Sequence, residues 1–328
     1  MHDSRATQHS VRSKKPYDLA IAGELNLDLI LYGLPLEMDT ERDLVGTGFT
    51  ATLGSSSAIF AHNAATLGMR VQFATLIGDD DFGRMAIERL RQAGIETAGV
   101  ILDPLLQTGV TILLPHGPVR HSLSYLGSIS ALTVDHLDWG KLSEARHFHL
   151  SSLYLQTGLH QGIVDLLRYL KNAGLSISLD TNDDPKNLWG DPLYNVLPYV
   201  DIFLPSENEI CRMAGGVGID QAALRYADRV PTIIIKRGRL GCRVVQGDKM
   251  VDHPGLEVTP VDTIGAGDSF DAGFLCAYLN GMDLATCARA GNIAGALSTL
   301  SPGGTESFRN SSSRRSFLQE HGFPGLGE

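Results

Sequence analysis

The 328-residue chain contains no run near the roughly 18 consecutive apolar residues that a membrane-spanning helix needs. That argues against a membrane partner and leads to the expectation of a cytoplasmic protein. Cysteine is scarce: Cys211, Cys242, Cys276 and Cys287 show neither a C-x-x-C pair nor zinc-like spacing, so buried free thiols are expected rather than a disulfide or zinc scaffold. Positive charge is in deficit, with 27 Lys and Arg against 37 Asp and Glu, a net charge of −10. Phosphate backbones attract basic faces, so nucleic acid is not expected as a partner. A small anion held by backbone N–H groups is still compatible. Residues 1–16 carry Arg5, Arg12, Lys14 and Lys15 without an apolar core, which reads as a disordered tail and not a signal peptide. Three common signatures are also missing. There is no G-x-x-x-x-G-K-[ST] loop, no G-x-S-x-G elbow, and Ala22-Gly-Glu-Leu-Asn26 stands where a dinucleotide enzyme would carry G-x-G-x-x-G.

What is present is an apolar fraction of 43%, ample for a large core, and 36 glycines, above the usual share of roughly 7%. Short apolar strands are expected at Asp18–Ala22, Val71–Ile77, His147–Leu150, Leu175–Asp180, Asp201–Leu204 and Thr232–Lys236. Helical stretches alternate with them: Ser56–Leu67 before Gly68, Phe82–Ala93 with Asp81 as N-cap, and Leu159–Ala173 before Gly174. Such alternation predicts a parallel sheet covered by helices. Two stretches, 31–53 and 108–126, break the rhythm and read as antiparallel strands of one small inserted sheet. From Gly267 to Leu300 the pattern is helical with a break at Gly281, and residues 309–328 read as a loose tail.

One segment carries chemistry. Val261-Asp-Thr-Ile-Gly-Ala-Gly-Asp-Ser-Phe270 leads straight into an apolar helical run. Small side chains let a ligand approach the backbone, and the first N–H groups of a helix have no internal partner. Gly265, Ala266, Gly267 and Asp268 therefore form an anion hole with a carboxylate at its lip. Such a carboxylate could take a hydroxyl proton while the N–H groups stabilise a transferring phosphoryl group. A plain N-cap and tight turn is the alternative for an isolated G-A-G-D.

The full string resembles the second signature of the ribokinase-like (PfkB) sugar and nucleoside kinases. The likeness extends over about residues 17–308, through Leu67-Gly68, Val71–Gly78, Asp81-Phe82-Gly83, Thr108-Gly109-Val110, Lys236-Arg237-Gly238-Arg-Leu-Gly241 and Gly291-Asn292 to Gly303-Gly304. It implies a three-layer α/β/α sandwich with a mostly parallel central sheet and a small β-sheet lid. It also implies ATP and Mg²⁺ as cofactors, Asp268 as general base, and Gly265, Ala266 and Gly267 around the γ-phosphate. Asn26 and Asp28, with Gly54 and Ser55, would bind sugar hydroxyls. Lys236, Gly238, Gly241 and Asn292 would line the nucleotide, Glu209 would order water around the metal, and Asp262 with the Ile264 carbonyl would touch a K⁺-like ion. A homodimer through the lid is a further implication.

The chain departs from the pattern in places. Ser55 and Ile59 replace the second glycine and the asparagine of G-G-x-x-x-N, and Ser206 replaces the asparagine of N-x-x-E. A hydroxyl at 206 would still hydrogen-bond a water. Asp184 stands where D-x-N-x-R enzymes carry arginine and should repel an acid sugar, and only Arg42 and Arg120 in the lid stretches could meet a phosphorylated one. A neutral sugar is the favoured substrate. A nucleoside kinase is the first alternative, and a catalytically silent sugar- or nucleotide-binding sensor the second. His147 and His149 lack a third ligand and read as hydrogen-bonded strand residues, not a zinc site.

Overall fold

The computed structural model of the chain describes residues 15–116 and 119–327. The expected N-terminal tail lies outside the described residues up to residue 14. Lys15, assigned to that tail, is anchored, because its ammonium donates to the Ser143 and Ala173 carbonyls at 3.1 Å each.

The strands, in chain order, are β1 (Tyr17–Ala22), β2 (Asn26–Tyr32), β3 (Gly48–Leu53), β4 (Val71–Gly78), β5 (Glu96–Asp103), β6 (Gly109–His116), β7 (Val119–Tyr125), β8 (Ala145–Ser151), β9 (Ser176–Asp180), β10 (Ile202–Phe203), β11 (Thr232–Lys236), β12 (Cys242–Gln246) and β13 (Lys249–His253). Nine form one sheet in the order β13-β12-β11-β10-β9-β8-β1-β4-β5. All its pairs from β11 to β5 are parallel, and β12 and β13 close one edge antiparallel. Side-chain alternation along a strand supplies both faces. Leu19, Ile21, Phe73, Ile77 and Ile234 enter one core with helices Ser56–Thr66, Asp81–Gln92, Ala266–Leu279 and Leu284–Ser298. Ala20, Ala22, Leu76, Ile233 and Ile235 enter the other, against helices Ile163–Asn172, Glu207–Met213 and Ile219–Ala227. Two buried faces explain why Thr232-Ile-Ile-Ile-Lys236 is a continuous apolar run.

The second sheet has four strands in the order β3-β2-β6-β7. It is mixed, not purely antiparallel, because its central pair β2–β6 runs parallel. It also begins earlier than residue 31. Only Gly23, Glu24 and Leu25 separate β1 from β2, so the chain leaves the large sheet and enters the small one before Asn26.

Three local expectations are corrected. The N-cap of the Asp81–Gln92 helix is Asp80, whose carboxylate accepts the Gly83 N–H at 2.8 Å. The helix expected from Leu159 begins at Ile163, after Gly162 at φ +94°. Residues 309–328 are no loose tail: Ser311–Glu320 is a helix, and Leu318, Phe323 and Leu326 are buried in the core.

Candidate active site

The anion loop forms where Gly265 turns the chain into the Ala266–Leu279 helix at φ +68°. A Cβ on Gly265 would lie 2.6 Å from the Gly304 Cα, so this approach of two backbones requires glycine. The unpaired N–H groups of the first helical turn and the helix dipole give the loop its affinity for negative charge. Asp268 lies in that first turn and is 8% exposed. Burial, and next the charge of Asp180, push its carboxyl up to about 6; Lys236, a hydrogen bond from the Ser56 side chain and Arg120 pull it down. A base of that strength is ionised at neutral pH yet able to hold a proton.

Lys236 closes the floor. It extends from the end of β11 to within 3.5 Å of the position a Gly267 Cβ would take. Its ammonium meets the buried carboxylates of Asp180 at 2.6 Å and Asp271 at 3.1 Å. Lys236, assigned from sequence to the nucleotide, therefore also serves a buried ion triad. From the sequence, Asp180 stood out only as the end of an expected strand and the start of the D-x-N-x-R-like stretch, and Asp271 was missed although it directly follows the recognised string.

The sugar-side residues meet across β2 and the start of the Ser56–Thr66 helix. Asn26 and Asp28 lie on β2, in the small sheet. A Cβ on Gly54 would fall 2.1 Å from Asp28 Oδ1 and 2.5 Å from Asn26 Oδ1, so glycine there leaves room for both side chains. Ser55 has φ +62°, a backbone conformation that favours the glycine of the G-G-x-x-x-N pattern. Its Oγ donates to the Glu24 carbonyl at 2.7 Å and accepts the Ala58 N–H at 3.2 Å, which makes it a helix cap. Ile59 packs against Gly265 and Gly304 from the same helix.

Glu24 was missed from sequence, although it sits in the quoted Ala22–Asn26 segment. Its Oε1 accepts the Ser56 N–H at 3.0 Å, and burial pushes its carboxyl up to about 7. Asp28 rises to about 8, first through burial and then through the charge of Asp268, with Arg120 opposing. Among the described residues, buried Glu24 Oε2 and Asn26 Oδ1 have no hydrogen-bond partner. Buried acceptors of this kind call for donors from a ligand, and hydroxyl groups supply them.

On the nucleotide side, Gly238 (φ +54°) and Gly241 (φ +91°) shape the turn after β11. A Cβ on Gly241 would lie 2.1 Å from the His253 carbonyl, and Asn292 Nδ2 donates to the adjacent Pro254 carbonyl at 3.0 Å. Asn292 thereby holds the wall of this turn. Glu209 and Ser206 form a capping box: Glu209 Oε2 accepts the Ser206 N–H at 2.7 Å, and Ser206 Oγ accepts the Glu209 N–H at 3.2 Å. The Ser206 hydroxyl accepts this one N–H, and its own O–H stays available as a donor. Burial raises the Glu209 carboxyl, with Asp180 acting in the same direction.

Asp262 is a loop fastener. Its Oδ2 accepts from Tyr32 Oη at 2.7 Å and the Gly303 N–H at 2.9 Å, and its Oδ1 accepts the Ile264 N–H at 2.9 Å. Asp184 does not face a substrate; its carboxylate accepts the N–H groups of Lys186, Leu188 and Trp189 at 2.6–2.9 Å. Held by these N–H groups, Asp184 gives no ground for excluding an acid sugar. His147 and His149 both meet Ser178 Oγ at 2.7 Å, and no cluster of three or more His, Cys, Asp or Glu able to hold a metal occurs among the described residues. No helix among them is long and apolar enough to cross a membrane.

The model of the pfkB family carbohydrate kinases matches residues 18–310. The ATP-dependent ribose-1-phosphate kinase of Halopiger xanaduensis is 30% identical over 310 residues, covering 91% of this chain and 97% of its own length. The ribokinase of Haemophilus influenzae is 26% identical over 308 residues, covering 92% and 98%. An Escherichia coli protein described as a ribokinase II, solved with ATP and Mg²⁺, matches with a TM-score of 0.82 at 23% identity, covering 93% of this chain and 100% of its own.

Proposed function

Because the chain belongs to the pfkB family of carbohydrate kinases, we propose that it transfers the γ-phosphoryl group of ATP to a hydroxymethyl group of a neutral sugar of the ribose or fructose type. The observation that carries this reading is Asp268, a buried carboxylate at the glycine-opened end of a helix, within the electrostatic reach of Glu24 and Asp28. Asp268 takes the hydroxyl proton as the oxygen attacks in line, and the N–H groups at 265–268 stabilise charge on the transferring group. Asn26, Asp28 and Glu24 orient the sugar, and the small sheet excludes water that would otherwise hydrolyse ATP. Mg²⁺ carried on the nucleotide phosphates neutralises their charge when bound, and Glu209 is the side chain available to orient its water shell. A K⁺-like ion would be held by Asp262, whose Oδ1 accepts one N–H and keeps an acceptor position, together with the Ile264 carbonyl. Lys236, Gly238, Gly241 and Asn292 form or support the nucleotide wall. We place the protein in the cytoplasm and assign dimerisation to the small sheet, whose Phe49 and Leu123 are 65% and 55% exposed.

A phosphorylated pentose is the second reading. Arg120 on β7 is the cation whose charge reaches both Asp28 and Asp268, and the Halopiger xanaduensis relative is a ribose-1-phosphate kinase. ATP consumption measured with ribose, fructose, ribose 1-phosphate and adenosine, with and without K⁺, decides between them. Turnover confined to the free sugars supports the first reading, turnover confined to ribose 1-phosphate the second. Turnover of adenosine alone, or ligand binding without turnover, overturns both.

A further inference from the structure

Behind the Ser56–Thr66 helix, away from its Ser55 end, lies a cleft of about 500 Å³ lined by His62, Thr66, Gln92, Arg309, Ser311 and Arg314, among others. Its positive charge is unusual for a chain of net charge −10. Arg314 is only 8% exposed. One of its Nη atoms donates to the Phe308 carbonyl, while its buried Nε has no hydrogen-bond partner among the described residues. A buried guanidinium normally finds a carboxylate or phosphate.

Glu306, whose charge like that of Arg314 reaches His62, does not fill that role. Glu306 already accepts from Thr52 Oγ1 at 2.8 Å and from Arg89 at 3.2 Å on one oxygen, and from Arg309 at 2.8 Å on the other. Two arginines, Arg89 and Arg309, thus share that carboxylate, whose partners among the described residues do not include Arg314, and Arg315 adds a further positive charge near Arg314. Glu88 is engaged by the Gln92 amide at 3.1 Å. Ser311 opens the final helix, where Asn310 caps the Ser313 N–H at 3.0 Å, so the helix dipole adds to the same field. His62 reports on it. Burial holds its imidazole down at about 4, hence neutral, and Arg309 and Arg314 push in the same direction.

We propose that this cleft is a second anion site, which takes a phosphate or phosphomonoester between Arg314, Arg309 and the N-terminal turn of the Ser311–Glu320 helix. Ser311, Thr66 and Gln92 supply neutral polar contacts around it, and the volume leaves room for a small polar body beyond the phosphate. The site shares a helix with the anion loop: Asn63, next to His62, donates to Ser269 Oγ and the Gly304 carbonyl at 2.9 Å each. The proposal rests on the cleft alone and not on the identity of the sugar.

Calorimetric titration of inorganic phosphate into the full chain tests it, with the active site filled by a non-hydrolysable ATP analogue so that only a separate site responds. The expected result is saturable binding that weakens about tenfold in Arg309→Gln, the loss of one charge-assisted hydrogen bond, and disappears in Ser311→Asp. An acidic residue at a helix start does not unfold the helix, so that second variant remains folded. Asp268→Asn, titrated under the same conditions, should bind phosphate as the unaltered chain does. Absence of phosphate binding in the unaltered chain, or equal affinity in both cleft variants, overturns the proposal.

Discussion

The Lys236 ammonium lies 2.6 Å from the Asp180 carboxylate, and both groups are buried. With Asp271 at 3.1 Å on its other side, one cation holds two acids beneath the anion loop. Removing that cation leaves two buried carboxylates uncompensated. Lys236→Met should lower stability by about 3–5 kcal/mol. Adding Asp271→Asn to it should recover part of the loss. Urea unfolding of the single and double variants measures both, and a single-variant loss below about 1 kcal/mol would show that the triad is not a structural unit.

Asp268→Asn removes the proton acceptor and leaves the N–H groups of its helix in place. A drop in kcat of about 10²–10⁴ is expected, with the KM for ATP little changed. Steady-state kinetics on the sugar that proves to be the substrate reads this directly, and near-normal turnover would remove Asp268 from the mechanism.

Activity should follow the ionisation of that base. Below about pH 6 Asp268 carries its proton and cannot accept another, so kcat/KM should rise with pH and level off above that value. The limb is assigned by comparing the profile of the residual Asp268→Asn activity, which should lack it.

The stability of the substrate-free protein should run the other way at Asp28. Its carboxyl is raised from 3.8 to about 8 in the folded state. Between these values the folded chain holds a proton that the unfolded chain has released, so this contribution is present at low pH and is lost as pH rises through about 8. Asp28→Asn should therefore gain in Tm relative to the unaltered protein as pH is raised from 5 toward 8. A difference independent of pH would contradict the buried, like-charged setting of Asp28.

Gly54→Ala sets a methyl group where Asp28 Oδ1 and Asn26 Oδ1 now lie. Displacing two sugar ligands by about 1 Å should lower kcat/KM for the sugar by about 10²-fold. The KM for ATP, bound across the site, should hold. Equal losses for both substrates would point to general unfolding of the loop.

What the sequence revealed follows the range of the interactions concerned. The anion loop was readable because Gly265 to Asp268 are consecutive and their chemistry is that of one helix end. The buried strands were readable where two apolar faces make a continuous run, as in β11. Strand β5 was not, because Glu96–Asp103 is an edge strand with few fully buried side chains. The triad of Lys236, Asp180 and Asp271 joins residues 56 and 35 positions apart, a separation that no local pattern encodes. Asp184 misled for a related reason. A polar side chain facing a motif can as readily satisfy the backbone beside it, and only the coordinates show which. The final helix escaped notice because its polar stretch, Ser311–Ser313, hides a single inward row ending in Leu318.

Asn26 and Asp28 belong to the small sheet, whereas Gly54 and the anion loop are joined to the helices of the large one. Tyr32, further along β2, reaches back to Asp262 at 2.7 Å. A sugar that touches Asp28 and Asp268 at once therefore acts as a bolt between two bodies. Its affinity then depends on how the two sheets are held together, so a substitution of Gly23 or Leu25, which flank Glu24 in the short connection, is expected to alter affinity without touching the ligand.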